Sequence, residues 1–223
     1  QQKYASSKAY AQKHRKYLAD PRTVSGFTPE CKEITFPIVT NASKGSKIWD
    51  IDGNELIDTA NGFGPIFFGH SPSFVTEAVI EQMQKGIETG PQSPLAGEVA
   101  SLFCELTGNE RCGFASTGSE AVLGAVRLAR TVSGRSKIIR FDGSYHGIFD
   151  EVVSRPGKNY AALPGAPGIP RESLSNVLVL PWGDQESLRF IKEISSELAA
   201  VLVEPVQSRL PEFHDEAYLK DLR

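Results

Sequence analysis

Residues 112–147, CGFASTGSEAVLGAVRLARTVSGRSKIIRFDGSYHG, constrain the fold more than any other stretch of the chain. Cys112 to Ala115 is a short apolar run that reads as a strand. Ser116-Thr117-Gly118-Ser119 follows, and from Glu120 onward Val122, Ala125, Val126, Ala129 and Val132 recur at helical spacing, with Arg127 and Arg130 pointing elsewhere. Gly134 is a C-terminal stop. Ile138–Ile139 then opens a second strand that leads into Asp142-Gly143-Ser144-Tyr145-His146-Gly147. Strand, turn, helix, strand, turn is one unit of a parallel α/β sheet.

The chemistry of such a unit sits at its turn. Unpaired N–H groups of the first helical turn and the hydroxyls of Thr117 and Ser119 can converge on an anion, helped by the helix dipole. Gly118 lets backbone and ligand approach closely. Equally, Thr117 or Ser119 can simply cap the helix. Better-known phosphate motifs fit poorly. Gly113 to Gly118 has P-loop glycine spacing, yet Ser119 stands where its lysine belongs. Gly62, Gly64 and Gly69 are wrongly spaced for a dinucleotide fingerprint.

Composition narrows the function classes. A net charge of −3 argues against a nucleic-acid footprint. No run is apolar enough to span a membrane, and residues 1–25 are too polar for a signal peptide. Cys31, Cys104 and Cys112 are few, odd in number and without C-x-x-C spacing, as expected of buried, reduced thiols in a cytoplasmic protein. His14, His70, His146 and His214 show no metal-ligand spacing, so no metal is expected. No G-x-S-x-G elbow supports hydrolase chemistry at Ser119 or Ser144.

Upstream, Tyr10, His14, Tyr17 and Leu18 form a weak helical stripe, broken at Asp20–Pro21 and Ser25–Gly26. Thr35–Val39, Ser46–Asp50 and Glu55–Asp58 read as strands, with Asp52–Gly53 a hairpin signal. Gly62 to His70 is an aromatic, glycine-rich loop. Ser71–Pro72 predicts an N-cap followed by proline at the first helical position. Val75, Val79, Met83 and Ile87 line one face of that helix, with Met83 as core filling, and Gly90–Pro91 ends the element. Leu95, Val99, Leu102, Phe103 and Leu106 mark another helix. Pro156 to Pro170 reads as an irregular loop, a lid or an interface. Val177–Leu180 resumes the sheet, Leu188, Ile191, Ile194 and Leu198 predict a helix, and Ala200–Val203 a buried strand. Glu204-Pro205 sits at the end of that strand, where open α/β sheets place ligands. Residues 215–223 begin a last helix. The expected division is a leader with a small antiparallel segment, 1–70, and an α/β domain, 71–223.

FASTGSEAVLGAVRLARTVSGRSKIIRFDGSYHG resembles the phosphate-loop region of class-III aminotransferases, nearest the glutamate-1-semialdehyde aminomutase branch. WDIDGNELID, FGHSP, PGIP and VEPVQ follow in that family's order. The resemblance implies the α/β fold of type I pyridoxal-phosphate (PLP) transferases, with the large-domain sheet incomplete in this chain. It implies PLP as cofactor, with Thr117, Gly118 and Ser119 at the phosphate and Tyr145–His146 against the ring. Glu204 belongs to the hydrogen-bond network around the pyridine, Gln207 is the partner expected for the ring hydroxyl, and Phe63 belongs to the substrate pocket. Arg209 is either helix surface or a carboxylate clamp.

In that family the catalytic lysine lies some tens of residues beyond the E-P-V segment, past Arg223. Lys220 falls too soon after Glu204 to match it, and the 223 residues alone are expected to be inactive. The resemblance implies transfer of an amino group from an amino-acid donor to a carbonyl acceptor. VEPVQSRLPE and the basic leader most resemble aminotransferase domains of polyketide–peptide assembly lines, where the acceptor is a β-keto acyl chain on an acyl carrier protein. Two alternatives stand beside it: a glutamate-1-semialdehyde 2,1-aminomutase, and a non-catalytic dimerisation or docking module. The family also implies a homodimer, in the cytoplasm, with no nucleic-acid or membrane partner.

Overall fold

A computed structural model of the chain describes residues 2–19, 28–31, 34–87, 90, 92–209, 211 and 216–223. The breaks at Asp20–Pro21 and Ser25–Gly26, and Pro91, His214 and Asp215, lie outside the described residues. The chain falls into two compact units, Gln1–Ser93 and Pro94–Arg223. The first thus includes the helix at 73–85 that the sequence groups with the downstream domain.

In the first unit, α1 (Ala5–His14) is followed by an antiparallel meander of β1 (Thr40–Lys44), β2 (Lys47–Asp50) and β3 (Glu55–Ile57). Asp52–Gly53 makes the β2–β3 turn as the sequence predicts. The first strand begins five residues later than Thr35. Pro37 has no N–H to give a ladder, and the Val39 N–H goes to Ser7 Oγ instead, at 3.2 Å. Polar anchors hold this unit. Asp52 accepts the N–H groups of Ser6 and Ser7 at 2.7 and 3.0 Å, satisfying the start of α1 from a distant turn. Buried Asp50 accepts from the Asp52 and Asn54 amides and from Asn54 Nδ2.

The helix α2 runs Ser73–Lys85 with Pro72, rather than Ser71, at the N-cap; Pro72 is extended, and its carbonyl takes the first helical N–H groups. Met83 is 61% exposed, and Val75, Val79 and Ile87 are exposed with it. Met83 therefore fills no core here, because no described element of this unit lies over that face.

The second unit contains α3 (Pro94–Thr107), α4 (Gly118–Ser133), β4 (Lys137–Phe141), β5 (Ser154–Pro156), β6 (Ala162–Pro164), β7 (Val177–Leu180), α5 (Gln185–Glu193), β8 (Leu198–Leu202) and α6 (Glu216–Leu222). β4 lies between β7 and β8, parallel to both. Successive strand residues face opposite ways. Ile138 packs with Val126, Leu174 and Val177 on one side of the sheet. Ile139 and Phe141 pack with Leu180 and Leu198 on the other. Phe141, Trp182 and Tyr218 stack edge to face, with centroids 4.7 Å apart for Phe141–Trp182 and 5.2 Å for Trp182–Tyr218. Gly134 closes α4 in the left-handed conformation, as its position predicts.

Three local readings are corrected. Cys112–Ala115 forms no strand, since no described segment pairs with it and a strand needs a ladder. Leu198 opens β8 instead of ending the preceding helix. Pro156–Pro170 is no free lid: it contains a turn and β6, which pairs with β5, and Tyr160, Ala162 and Ile169 pack on the two core clusters. The thiols of Cys31, Cys104 and Cys112 are free and, against expectation, none is buried: Cys31 is exposed and Cys104 and Cys112 are half-buried.

Candidate functional site

Two turns meet beyond the C-terminal end of β4. The first is the start of α4. Thr117 is extended (φ −140°, ψ 157°), and its Oγ1 accepts the Glu120 N–H at 3.2 Å while Glu120 Oε2 accepts the Thr117 N–H at 2.9 Å. This capping box settles two of the donors. The amides of Gly118 and Ser119 are left without a protein partner among the described residues, at the positive end of a 16-residue helix. Gly118 has an ordinary backbone conformation, and a Cβ there would meet nothing within 4 Å. Neither backbone nor packing asks for glycine at 118. What its small size preserves is open room against two free N–H groups, the shape an anion site requires.

The second turn, Asp142 to Gly147, is stitched down from β8. Glu204, two residues past that strand, accepts the Tyr145 N–H on Oε2 at 2.7 Å. Gln207, 2% exposed, donates Nε2 to the Asp142 carbonyl at 2.8 Å. The Tyr145 ring remains 47% exposed, and the Arg209 guanidinium sits 5.7 Å from its centroid. Arg209 is thus not on a helix surface; it is a cation beside an aromatic ring.

The two turns are locked together. Ile148 donates its N–H to Ser119 Oγ at 3.2 Å. Gly147 (φ +113°) approaches so closely that a Cβ would lie 2.6 Å from Ser119 Oγ and 3.0 Å from Ser119 Cα. No larger residue fits at 147 on either count. His146 is buried beside this contact, and its Nε2 has no hydrogen-bond partner. Burial, reinforced by the nearby Arg140 charge and only partly opposed by Glu204, pulls its pKa below the usual histidine value. The imidazole is therefore neutral at pH 7.

Thr117, Gly118, Ser119, Tyr145, His146, Glu204 and Gln207 all belong to this one constellation in the second unit. Phe63 belongs to the first, at the surface (97% exposed) with φ +60°, in a loop fixed by Asp58, which accepts from the Ala60 and Asn61 amides and pairs with His70 at 2.8 Å. Arg140 escaped the sequence reading. It is 3% exposed, and Nη1 and Nη2 donate to the Ser154 and Ser144 carbonyls, each at 2.7 Å. The available signal was a charge inside the apolar strand Ile-Ile-Arg-Phe. Together with Asp142, Ser144, Tyr145, Ser154 and Arg209 it lines a polar cavity of about 290 Å³. Among the described residues no three His, Cys, Asp or Glu side chains group as a metal site, and no helix is long and apolar enough to cross a membrane.

Residues 29–223 match a family model described as aminotransferase class-III. A glutamate-1-semialdehyde 2,1-aminomutase from Methanosphaera stadtmanae is 38% identical over 177 residues, which are 78% of this chain and 42% of that protein. An omega-transaminase crystal structure from Sphaerobacter thermophilus superposes with a TM-score of 0.86 at 29% identity, over 97% of this chain and 51% of that one. A transaminase solved with PLP bound superposes with a TM-score of 0.87 at 27% identity, over 99% and 52% of the two chains. The chain spans about two fifths of the curated relative and about half of each solved chain.

Proposed function

The chain belongs to the class-III aminotransferase family, and from that premise we propose that it supplies the PLP-holding part of an enzyme that moves amino groups. One observation carries the reading: the Gly118 and Ser119 amides have no protein partner among the described residues, a Cβ at Gly118 would meet nothing within 4 Å, and this helix start is locked to a turn that presents a half-exposed Tyr145. Phosphate and flat ring are the two halves of PLP. The Gly118 and Ser119 amides, with the Ser119 and Thr117 hydroxyls, would hold the phosphate dianion by charge-assisted hydrogen bonds. Tyr145 would cover one face of the ring. Glu204 orients Tyr145 through its N–H and would join the hydrogen-bond network of the bound ring, while Gln207 fixes the turn that carries Tyr145 and the neutral His146. When bound, PLP supplies the electron sink for breaking bonds at the carbon bearing the amino group.

The reaction we propose is transfer from an amino-acid donor to a carbonyl acceptor, in a cytoplasmic homodimer. A carrier-bound β-keto acyl acceptor is the narrower form, supported by the likeness of VEPVQSRLPE and the basic leader to assembly-line domains. The second reading, an amino shift within glutamate-1-semialdehyde, draws on the 38% identity to an aminomutase. Full-length protein, PLP and ¹⁵N-labelled amino acids separate them. Label arriving on a different molecule, free or carrier-bound, supports transfer; label retained within one five-carbon product supports the mutase. Absence of PLP binding by the full-length protein overturns both.

A further inference from the structure

A buried guanidinium ordinarily stands opposite a carboxylate, because an isolated charge is costly to desolvate. Arg140 does not. Nη1 donates to the carbonyl and hydroxyl of Ser154 at 2.7 and 3.4 Å, and Nη2 to the carbonyl and hydroxyl of Ser144 at 2.7 and 3.3 Å. Nε has no partner at all. Burial works against the charge. Asp142 favours it, Arg209 disfavours it, and Glu204 again favours it, all three acting through space. The residue is the penultimate one of β4, next to Phe141, and one of its two carbonyl partners immediately precedes Tyr145.

We propose that Arg140 is a positioning residue for the cofactor ring. Its rigid fork ties the Ser144 carbonyl to the β5 backbone, so that the peptide leading into Tyr145 is held from behind by a cation while Glu204 holds the Tyr145 N–H from the other side. A neutral side chain of similar length would fill the space without gripping either carbonyl. A lysine would keep the charge but replace the planar two-armed donor with a single ammonium. Tyr145 lacks a packed environment of its own, being nearly half exposed, so its aim depends on these backbone ties. The inference rests on the proposed PLP site, yet its structural half can be measured without the cofactor.

The test uses the full-length protein, with Arg140→Met and Arg140→Lys, at a temperature where melting curves show all three folded. Amide hydrogen exchange is the first readout. In Arg140→Met the Tyr145 and Ile148 amides should exchange about tenfold faster or more while Val179 and Leu180 in β7 stay protected, the mark of local rather than global opening. Unchanged exchange at Tyr145 overturns the inference whether or not PLP binds. The second readout is PLP titration followed by the induced circular dichroism of the bound cofactor. Arg140→Met should raise the dissociation constant about 10- to 100-fold, the range found for outer-shell orienting groups at metal sites, and should change the dichroic signal per bound cofactor. Arg140→Lys should lie between. Weaker binding that merely tracks loss of folded protein, with an unchanged signal per bound cofactor, assigns Arg140 a purely structural role and overturns the proposal. If Arg140→Met fails to fold, Arg140→Lys decides: the unaltered protein's exchange, affinity and signal in that variant overturn it. Should the unaltered protein bind no PLP, the site reading falls, and the exchange arm still judges Arg140.

Discussion

The two units solve the burial problem in opposite ways. All the buried apolar side chains among the described residues, from Val126 to Tyr218, lie in the second unit, eight of them in two clusters on either side of a three-stranded parallel sheet. The first unit buries Ser7 and Asp50 and is tied by carboxylates to backbone amides, while Phe67, Phe68, Phe74, Ile80 and Met83 stay exposed. Hydrogen bonds to charged groups set geometry but add modest net stability, about 1.5–3 kcal/mol each. Apolar burial is the larger driving term. The contrast teaches that the second unit is organised by its own core, although its α3 leaves Val99, Leu102 and Phe103 exposed, whereas the first has precise turns and one amphipathic helix, α2, whose apolar face none of its own described elements covers.

The largest expected effect tests that contrast directly. Ile139→Ala removes a fully buried side chain and should cost about 2–5 kcal/mol in denaturant unfolding of the full-length protein. Ile80→Ala, at a 51%-exposed position of α2, should stay within about 0.5 kcal/mol. Equal losses would break the comparison, since they would mean that the α2 face is covered in the intact assembly.

Next in size is a charge against the anion site. Gly118→Asp places a carboxylate in the open space before the two free amides and should weaken PLP retention about 100-fold, near 3 kcal/mol by the usual tenfold-per-1.4 conversion. The same substitution suits a helix start, so thermal stability should hold or rise by a few tenths of a kcal/mol. Unaltered cofactor content would remove the phosphate from this helix.

Tyr145 should show a smaller, face-dependent effect. Tyr145→Phe keeps the ring and should retain PLP; Tyr145→Ala should lose on the order of 1 kcal/mol or somewhat more of cofactor binding. Comparable losses in both variants would assign the contact to the hydroxyl.

The smallest prediction is a difference in pH window. His146 is held below its usual pKa in the fold, so the unfolded chain takes up its proton first. Its share of stability is full above the unfolded value of 6.5 and is lost as pH falls from there toward the lower folded value. In the first unit Asp58 is held below 3.8, chiefly by the Asn61 N–H and then by His70, so its share is lost only as pH falls below 3.8. The two tryptophans fall one to each unit, Trp49 and Trp182. Single-tryptophan variants should therefore show the Trp182 transition softening as pH falls below 6.5, with Trp49 unaffected until pH falls below 3.8. Replacing His146 with glutamine should flatten the first effect.

Legibility in the sequence followed the same divide. The α4–β4 unit, its Gly134 stop and the Thr117 cap were readable because period, capping residues and turn glycines agreed. β4 and β7 were readable as continuous apolar runs, the pattern of strands buried on both faces. Cys112–Ala115 looked the same, yet periodicity cannot report whether a pairing partner exists. Met83 looked like core for a similar reason: a helical stripe records which face is apolar, not what meets it. Within the site, Gly118 and Ser119 stood out from their place at a helix start and Tyr145 from the family resemblance, and the fold brings the three into one neighbourhood. Two of the ties that fix them, Glu204 to the Tyr145 N–H and Gln207 to Asp142, span 59 and 65 residues, and no local pattern encodes them.

The Ser119–Gly147 contact has a consequence for anyone wishing to retune this protein by randomised libraries. Because a Cβ at 147 would meet the Ser119 hydroxyl at 2.6 Å and the Ser119 Cα at 3.0 Å, the two positions are coupled. Changes at 119 and 147 should be strongly non-additive. A library should therefore keep Gly147 and vary 119 alone, because a smaller residue at 119 removes the hydroxyl contact but leaves the Ser119 Cα and the left-handed backbone at 147 in place.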